Sequence, residues 1–342
     1  MDIIIVKTGA LGDVLRTTVI LEGLIEKFVS PRIYWLTSRN ARALLDNNPF
    51  IEKLFFKEDP TPEYLKHTYD LVISLEEDKE ILMILSKVKR KKLFGLYLSD
   101  DGRITYIPRS SMWQDMELNS RFGKEIADCL KRSNLFSYPE ILYKSLELEW
   151  KNQRYRLFLT KKDLIYSKAL KDVISYNKPV IGVVVGSGGR WPMKVLPVDR
   201  QIELIKGLHK KYGYTISILL LTGTNSLELV NTENIKNACP YVYTHDVQDI
   251  EEFIGIVHLC DIVITPDTLS MHISIALSKY TIAYFTVTSA AEIEIYTGAK
   301  ILANHPDYCN YTNEMKARPN VTDAVDIDHI LSVIEKLINK HK

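Results

Sequence analysis

Three segments of this chain pair glycine or proline with groups that can carry charge, take a proton or hold an anion. Each follows an apolar, strand-like run. The first is Lys7-Thr8-Gly9-Ala10-Leu11-Gly12-Asp13. Gly9 and Gly12 suit a tight turn and close approach of a ligand to backbone. Asp13 opens a predicted helix, where the dipole keeps a carboxylate ionised. An ionised carboxylate at the mouth of a cleft can take the proton of an attacking hydroxyl. The plainer reading of Asp13, a residue that only caps its helix, weighs equally on this segment alone. Gly9, Gly12 and Arg16 are assigned to the acceptor side.

The second segment runs from Gly186 to Lys194 and includes Ser187, Gly188, Arg190 and the Trp191-Pro192 pair. Backbone N–H groups in such a loop form an anion-binding concavity, and Arg190 and Lys194 add positive charge. A diphosphate suits the place; the competing reading is a surface loop with two solvated cations. In the third segment, Asp267 and Thr268 join a strand to a helix whose first N–H groups can hold phosphate. His272 lies one turn further on. A lone helical histidine is usually a core residue, and only its company with Asp267 and Thr268 raises it. Residues 222–228 make a further strand-to-helix loop, with Thr222 and Gly223 at its start; Glu228 could bond a ribose hydroxyl, but an exposed helical glutamate is the preferred reading. Residues 285–289 end another strand, and Thr288 and Ser289 either face a ligand or merely turn the chain.

The elements that must position these groups follow a repeated strand–loop–helix order. Strand candidates are 3–6, 33–36, 71–75 and 93–98, then 180–185, 216–221, 261–265 and 281–285. Val14, Leu21, Leu24, Ile25 and Phe28 recur at helical spacing. Helices are expected at 117–132, from near Pro197, at 226–237, 249–258 and 268–278, and over the closing stretch from 324. The pattern blurs between about 100 and 178. Alternating strands and helices imply parallel sheets with right-handed crossovers. Such sheets bind ligands at the carboxyl ends of their strands.

The 342 residues suit two domains at about 150 residues each. We set them at 1–165 and 166–325, with 326–342 a closing helix free to cross back to the first domain. Charged residues are 25% and net charge is +1, so no global field favours nucleic acid. The longest apolar runs fall short of the roughly 20 residues of a membrane span. The opening MDIIIVK lacks a basic lead and a cleavage site, so a cytoplasmic protein is expected. Cys129, Cys239, Cys260 and Cys309 are scattered and read as ordinary thiols. Asp326-Ile327-Asp328 has the form of a metal-holding pair, but it stands where the last helix should start, so a cap is preferred. The basic run Lys87, Lys89, Arg90, Lys91 and Lys92 reads as a solvated helix end. Its alternative is contact with anionic lipid at the inner face of the cytoplasmic membrane.

With these segments in hand, a resemblance emerges. IVKTGALGDVLRT looks like the N-terminal signature of the bacterial lipopolysaccharide heptosyltransferases, glycosyltransferase family nine. GSGGRWPMKVLP resembles that family's second-domain loop. DIVITPDTLSMHISIAL, followed by AYFTVTS, resembles its donor segment. Order and spacing agree over roughly residues 1–310. The resemblance implies a GT-B fold, two Rossmann-like α/β domains facing each other across a deep cleft. It implies a sugar-nucleotide donor, typically ADP-heptose, a glycolipid acceptor, and inversion with neither metal nor cofactor. Asp13 matches the family's proposed general base, and Lys194 a lysine that stabilises donor phosphate. Asp267, Thr268 and His272 match the donor-binding segment. In place of the family's glutamate after the loop at 222–226 stands Thr224-Asn225-Ser226, with Glu228 slightly displaced. Thr286 and Ala290 replace a later glycine and proline. Another base, another sugar or a protein acceptor therefore stays open. So does an epimerase or hydrolase on the same architecture, or a binding protein without catalysis. A Rossmann oxidoreductase lacks its G-x-G-x-x-G.

Overall fold

The structure, a computed structural model, describes residues 1–173, 177–188, 192–247, 249–310 and 319–340. It divides into two compact units: Met1–Phe158 with Ala291–Glu294, and Leu159–Ala290 with Ile295–Lys342.

In the first unit Ile3, Ile4, Ile5 and Val6 are all fully buried. A strand does this only at the centre of a sheet covered on both faces. That strand is β1 (Asp2–Val6). It lies between β2 (Arg32–Thr37) and β4 (Thr68–Ser74), parallel to both. With β3 (Lys53–Phe56), β5 (Lys89–Leu98) and β6 (Ile104–Tyr106) the sheet order is β3-β2-β1-β4-β5-β6. Only the β5–β6 pair is antiparallel among these. The order reverses between β1 and β4, which is the topological switch point where such sheets bind ligands.

The second unit repeats the plan with β7 (Val180–Val184), β8 (Ser217–Leu221), β9 (Ile262–Pro266), β10 (Tyr280–Phe285) and β11 (Gly298–Leu302). The order is β11-β10-β9-β7-β8, parallel throughout. Tyr243 adds a lone parallel bridge to Leu219. It stands where a Rossmann unit has its third strand, so the switch point falls between β7 and β9. The closing helix Ile327–Lys340 lies in this unit. Ile327, Ile330 and Ile334 join Leu204, Ile205 and Leu208 of the helix Val198–Tyr212 in one core. The helix Lys161–Val173 packs on Ile250–Leu259, so it belongs with the second sheet.

Several elements differ from the sequence expectation for local reasons. Strands β3 and β6 are too short to show a period, and β11 lies at a sheet edge with mixed polarity. The helix expected at 117–132 starts only at Lys124, because Gly123 holds φ +79. A second helix, Tyr138–Ser145, opens on a reciprocal cap between Ser137 and Glu140. The basic run at 87–92 is a helix end only at Lys87, which caps the helix Lys79–Ser86. From Lys89 it is strand β5, where Lys91 pairs with Asp70 at 2.7 Å and Arg90 donates to the Leu85 and Val88 carbonyls. Asp326 accepts from the His329 backbone N–H at 2.9 Å, as a cap does. None of the four cysteines is in a disulfide, and all but Cys129 are buried.

Gly95 sets the packing of β5 against β4. Its φ is +95, and a Cβ there would lie 1.8 Å from the Ser74 carbonyl oxygen. Gly95→Ala should destabilise the first unit by about 3 kcal/mol or more, from backbone strain and the clash together. Gly102→Ala, at φ +74 with open space, should cost about 1–2 kcal/mol. Urea unfolding of both variants checks this; equal midpoints would contradict it.

Candidate active site

In the first unit the loop after β1 is fixed from both neighbouring strands. Trp35 Nε1 donates to the Lys7 carbonyl at 3.2 Å, and Ser38 Oγ to the Thr8 carbonyl at 2.6 Å. From the β4 side, buried Glu76 accepts from Thr8 N and Thr8 Oγ1, both at 2.6 Å. Its other oxygen accepts from the backbone N–H groups of Glu77 and Asp78. The loop then enters the helix Leu11–Thr17 with Asp13 in its first turn and no side-chain cap. Gly12 is already inside that helix, and a Cβ at Gly9 would meet nothing within 4 Å. Neither glycine has a positive φ, and the space beside Gly9 is open, as close approach to its backbone requires.

Asp13 pairs with Arg16 at 2.8 Å and remains one-third exposed. The guanidinium is buried in an aromatic seat, 4.1 Å from the Tyr138 ring centroid and 5.3 Å from that of Trp113. Tyr138 in turn hydrogen-bonds Thr17 at 2.9 Å. Burial works against the Arg16 charge, but Asp13 and Tyr138 outweigh it and hold the group above its usual pKa. Lys7 behaves alike: burial disfavours its charge, and Asp13 and Glu76 more than restore it. Arg16 is therefore turned onto Asp13.

Glu77 completes this group and was not singled out in the sequence. It stands half-buried at the carboxyl end of β4, beside the switch point, and its carboxyl has no hydrogen bond or ion pair with the described residues. Burial and then Glu117 push its pKa up to about 7; Asp13 adds to the rise, and Lys7 and Lys131 oppose it. The available signal was the pair of acids directly after the apolar run 71–75.

In the second unit the corresponding loop, 186–188, is stapled by Glu228. Its carboxylate accepts from Gly188 N at 2.7 Å and Gly223 N at 2.9 Å, and is buried. A Cβ at Gly186 would sit 2.2 Å from Glu228 Cγ, so no side chain fits there. Ser187 is half-buried beside them. Thr222 points elsewhere: its hydroxyl is bonded to Thr232 at 2.7 Å. Arg190 lies outside the described residues.

At the carboxyl end of β9, Lys194 Nζ donates to the Asp267 carbonyl at 3.0 Å and to its carboxylate at 3.2 Å. Burial disfavours the Asp267 charge, but Lys194 and then His272 overcome it and hold the carboxyl at about 2. His272 is buried one turn into the helix Leu269–Ala276, whose N-cap is Thr268 with no side-chain capping bond. The Thr288 hydroxyl also helps to hold the Asp267 charge, although it is buried and misses full hydrogen-bond alignment. The turn carrying Lys194 is fixed by Thr286, which donates to the Met193 carbonyl at 2.7 Å. Thr286 is thus a positioning residue. Lys194, Asp267, Thr268, His272 and Thr288 are gathered in one place. Gly188, Gly223 and Glu228 form their own bonded group. No group of three or more His, Cys, Asp or Glu suited to a metal ion occurs among the described residues.

Two Rossmann-like units, each with charged groups at its switch point, make up the GT-B fold of glycosyltransferases, and solved structures share it. A glycosyltransferase family 9 protein of Veillonella parvula matches with TM-score 0.72 and 13% identity, over 99% of this chain and 97% of that one. The Escherichia coli ADP-heptose lipopolysaccharide heptosyltransferase II matches with TM-score 0.68 and 13% identity, over 100% and 99%. The E. coli heptosyltransferase WaaC, solved with ADP, matches with TM-score 0.63 and 15% identity, over 99% of each. No curated protein matches the sequence. The family model for glycosyltransferase family 9 (heptosyltransferase) matches residues 116–320, more than half of the chain. The chain belongs to that family and is a glycosyltransferase.

The Glu77 carboxyl gives a pH signature. Its folded pKa, about 7, lies above the ordinary 4.5, so between these values the folded state binds more protons than the unfolded. Stability therefore falls as pH rises through this window. Glu77→Gln should melt higher relative to wild type at pH 8 than at pH 5; a difference independent of pH would contradict it.

Proposed function

We propose that this chain transfers a heptosyl group from ADP-heptose to a hydroxyl of a lipopolysaccharide-type glycolipid, with inversion and without a metal ion. The observation that carries the reading is Lys194, 16% exposed and held by Asp267 beside an uncapped helix N-terminus. A cation and free-facing N–H groups at a strand's carboxyl end suit a diphosphate. The choice of ADP-heptose draws on relatives: WaaC has been solved with ADP and with ADP-2-deoxy-2-fluoro heptose.

In this reading the second unit holds the donor. Lys194 and the first backbone N–H groups of the helix Leu269–Ala276 neutralise charge that grows on the leaving diphosphate. Asp13 is the base, and Arg16 positions it and keeps it ionised. The acceptor oxygen bonds to the anomeric carbon, its proton passes to Asp13, and ADP departs with the electrons of the broken C–O bond. Lys194 supplies the positive charge that a divalent ion would otherwise bring.

Asp13→Asn should lower kcat by about 10²–10⁴-fold while leaving donor affinity unchanged. Lys194→Met should lower it by about 10²–10³-fold and weaken donor binding. Mass spectrometry of the acceptor product checks both, with and without EDTA. Near-wild-type turnover by Asp13→Asn would remove the base, and loss of activity in EDTA restored by a divalent ion would overturn the metal-free step. Donor consumption without acceptor would favour the epimerase or hydrolase.

A further inference from the structure

Large apolar side chains are exposed densely in one part of the first unit. Leu118, Phe122, Ile126, Leu130, Leu135 and Phe136 are all open to solvent, six of the sixteen such residues described, within nineteen positions. Ile126 and Leu130 share a face of the helix Lys124–Ser133, with Phe122 exposed just before it; the helix's opposite side is seated by buried Ala127 and Asp128. Leu135 projects from the turn after the helix and is 86% exposed. That turn is fixed in shape: Asn134 accepts from Phe136 N at 3.1 Å and donates to the Phe136 carbonyl at 2.8 Å. The exposure is built in, since the chain around it is well hydrogen-bonded.

Cations rim this apolar surface. Arg121, Lys124, Arg132 and Lys144 are exposed around it, Arg121 paired with Asp115 at 3.0 Å and Lys124 with Asp128 at 3.4 Å, and Glu125 is the one exposed acid between 118 and 136. Arg132 and Lys144 have no carboxylate in ion-pairing range among the described residues; Arg132 reaches only Cys129 Sγ, and Lys144 lies 3.4 Å from the Phe136 ring centroid. Arg121 sits 4.8 Å from the Phe122 ring centroid. Apolar side chains ringed by basic ones are the pattern of a helix lying in a bilayer interface. A second copy of the chain docking on the same surface would bring these cations against their own kind, which opposes association. In the basic run of β5, Lys91 is paired with Asp70 and Arg90 is turned onto backbone carbonyls.

We propose that the surface formed by residues 118–136, with Lys144, docks this chain peripherally on an anionic lipid bilayer. Leu135, Phe122 and the Ile126–Leu130 face enter the interfacial layer, while Arg132 and Lys144 meet lipid phosphates. The inference goes beyond the proposed reaction and does not depend on it, because binding to lipid is read without turnover.

Flotation with phosphatidylcholine vesicles, with and without phosphatidylglycerol, tests it. Wild type should float with the anionic vesicles only, and added salt should weaken binding. Ile126→Asp and Leu135→Asp should each lower the partition coefficient by about tenfold or more, and Arg132→Glu/Lys144→Glu should remove the preference for anionic lipid, at roughly fivefold per basic residue. Val29→Asp, at a site 92% exposed elsewhere in the same unit, should float as wild type. Wild type that fails to float, or Ile126→Asp and Leu135→Asp proteins that melt and float as wild type does, would overturn the proposal. So would sedimentation showing a dimer that Leu135→Asp dissociates without any vesicle binding. If flotation holds while no sugar transfer occurs, the docking stands and the reaction assignment falls.

Discussion

A strand buried on both faces can offer chemistry only beyond its ends. Both units accept this constraint at their first strand: β1 and β7 are apolar and inaccessible, and the polar groups begin in the loops that follow. Loops of this kind need anchoring, and each unit supplies a buried carboxylate to do it. Glu76 holds Thr8 in the first unit, and Glu228 holds Gly188 and Gly223 in the second. These carboxylates accept charge-assisted bonds from backbone N–H groups, which are among the stronger hydrogen bonds available. Asp13 and Arg16 follow directly on the first of these loops, while the turn that carries Lys194 is held by Thr286 instead.

The charged pairs then divide the labour. Asp267 and Lys194 are both largely buried, so each has a strong interest in the other, and the carboxyl is held well below its ordinary range. Removing either partner would leave a buried charge uncompensated. Asp13 is more open than Arg16, which is sunk between two aromatic rings. The first pair suits a fixed charge near a phosphate, and the second suits a carboxylate that must reach solvent or an acceptor.

Much of this was legible in the sequence because unpaired strand runs and Gly- or Pro-containing loops carry strong local signals. IIIV before Lys7, and VIGVVV before Gly186, marked the central strands, and the sheet order then sets the switch points beside them. The role of Glu228 as a staple was not legible, since its partners are backbone N–H groups in another loop. Glu77 was hidden for a similar reason: its importance lies in Asp13 and Glu117, far along the chain. The aromatic seat of Arg16 draws on Trp113 and Tyr138, in the stretch where periodicity failed because short helices and turns replace each other there. The need for glycine at 186 was not legible either, since the side chain that fills the space beside it, Glu228, comes from the 222–228 segment.

The most direct test of the account is a thermal-shift titration of wild type and Lys194→Met with ADP-heptose, other ADP-sugars, and UDP-, GDP- and dTDP-sugars. At 100 times its dissociation constant a bound ligand adds about 2.7 kcal/mol, several degrees for domains of this size. The account predicts a shift of wild type with ADP-heptose above all others, largely lost in Lys194→Met. An equal shift in the variant, or no response of wild type to any sugar nucleotide, would contradict it.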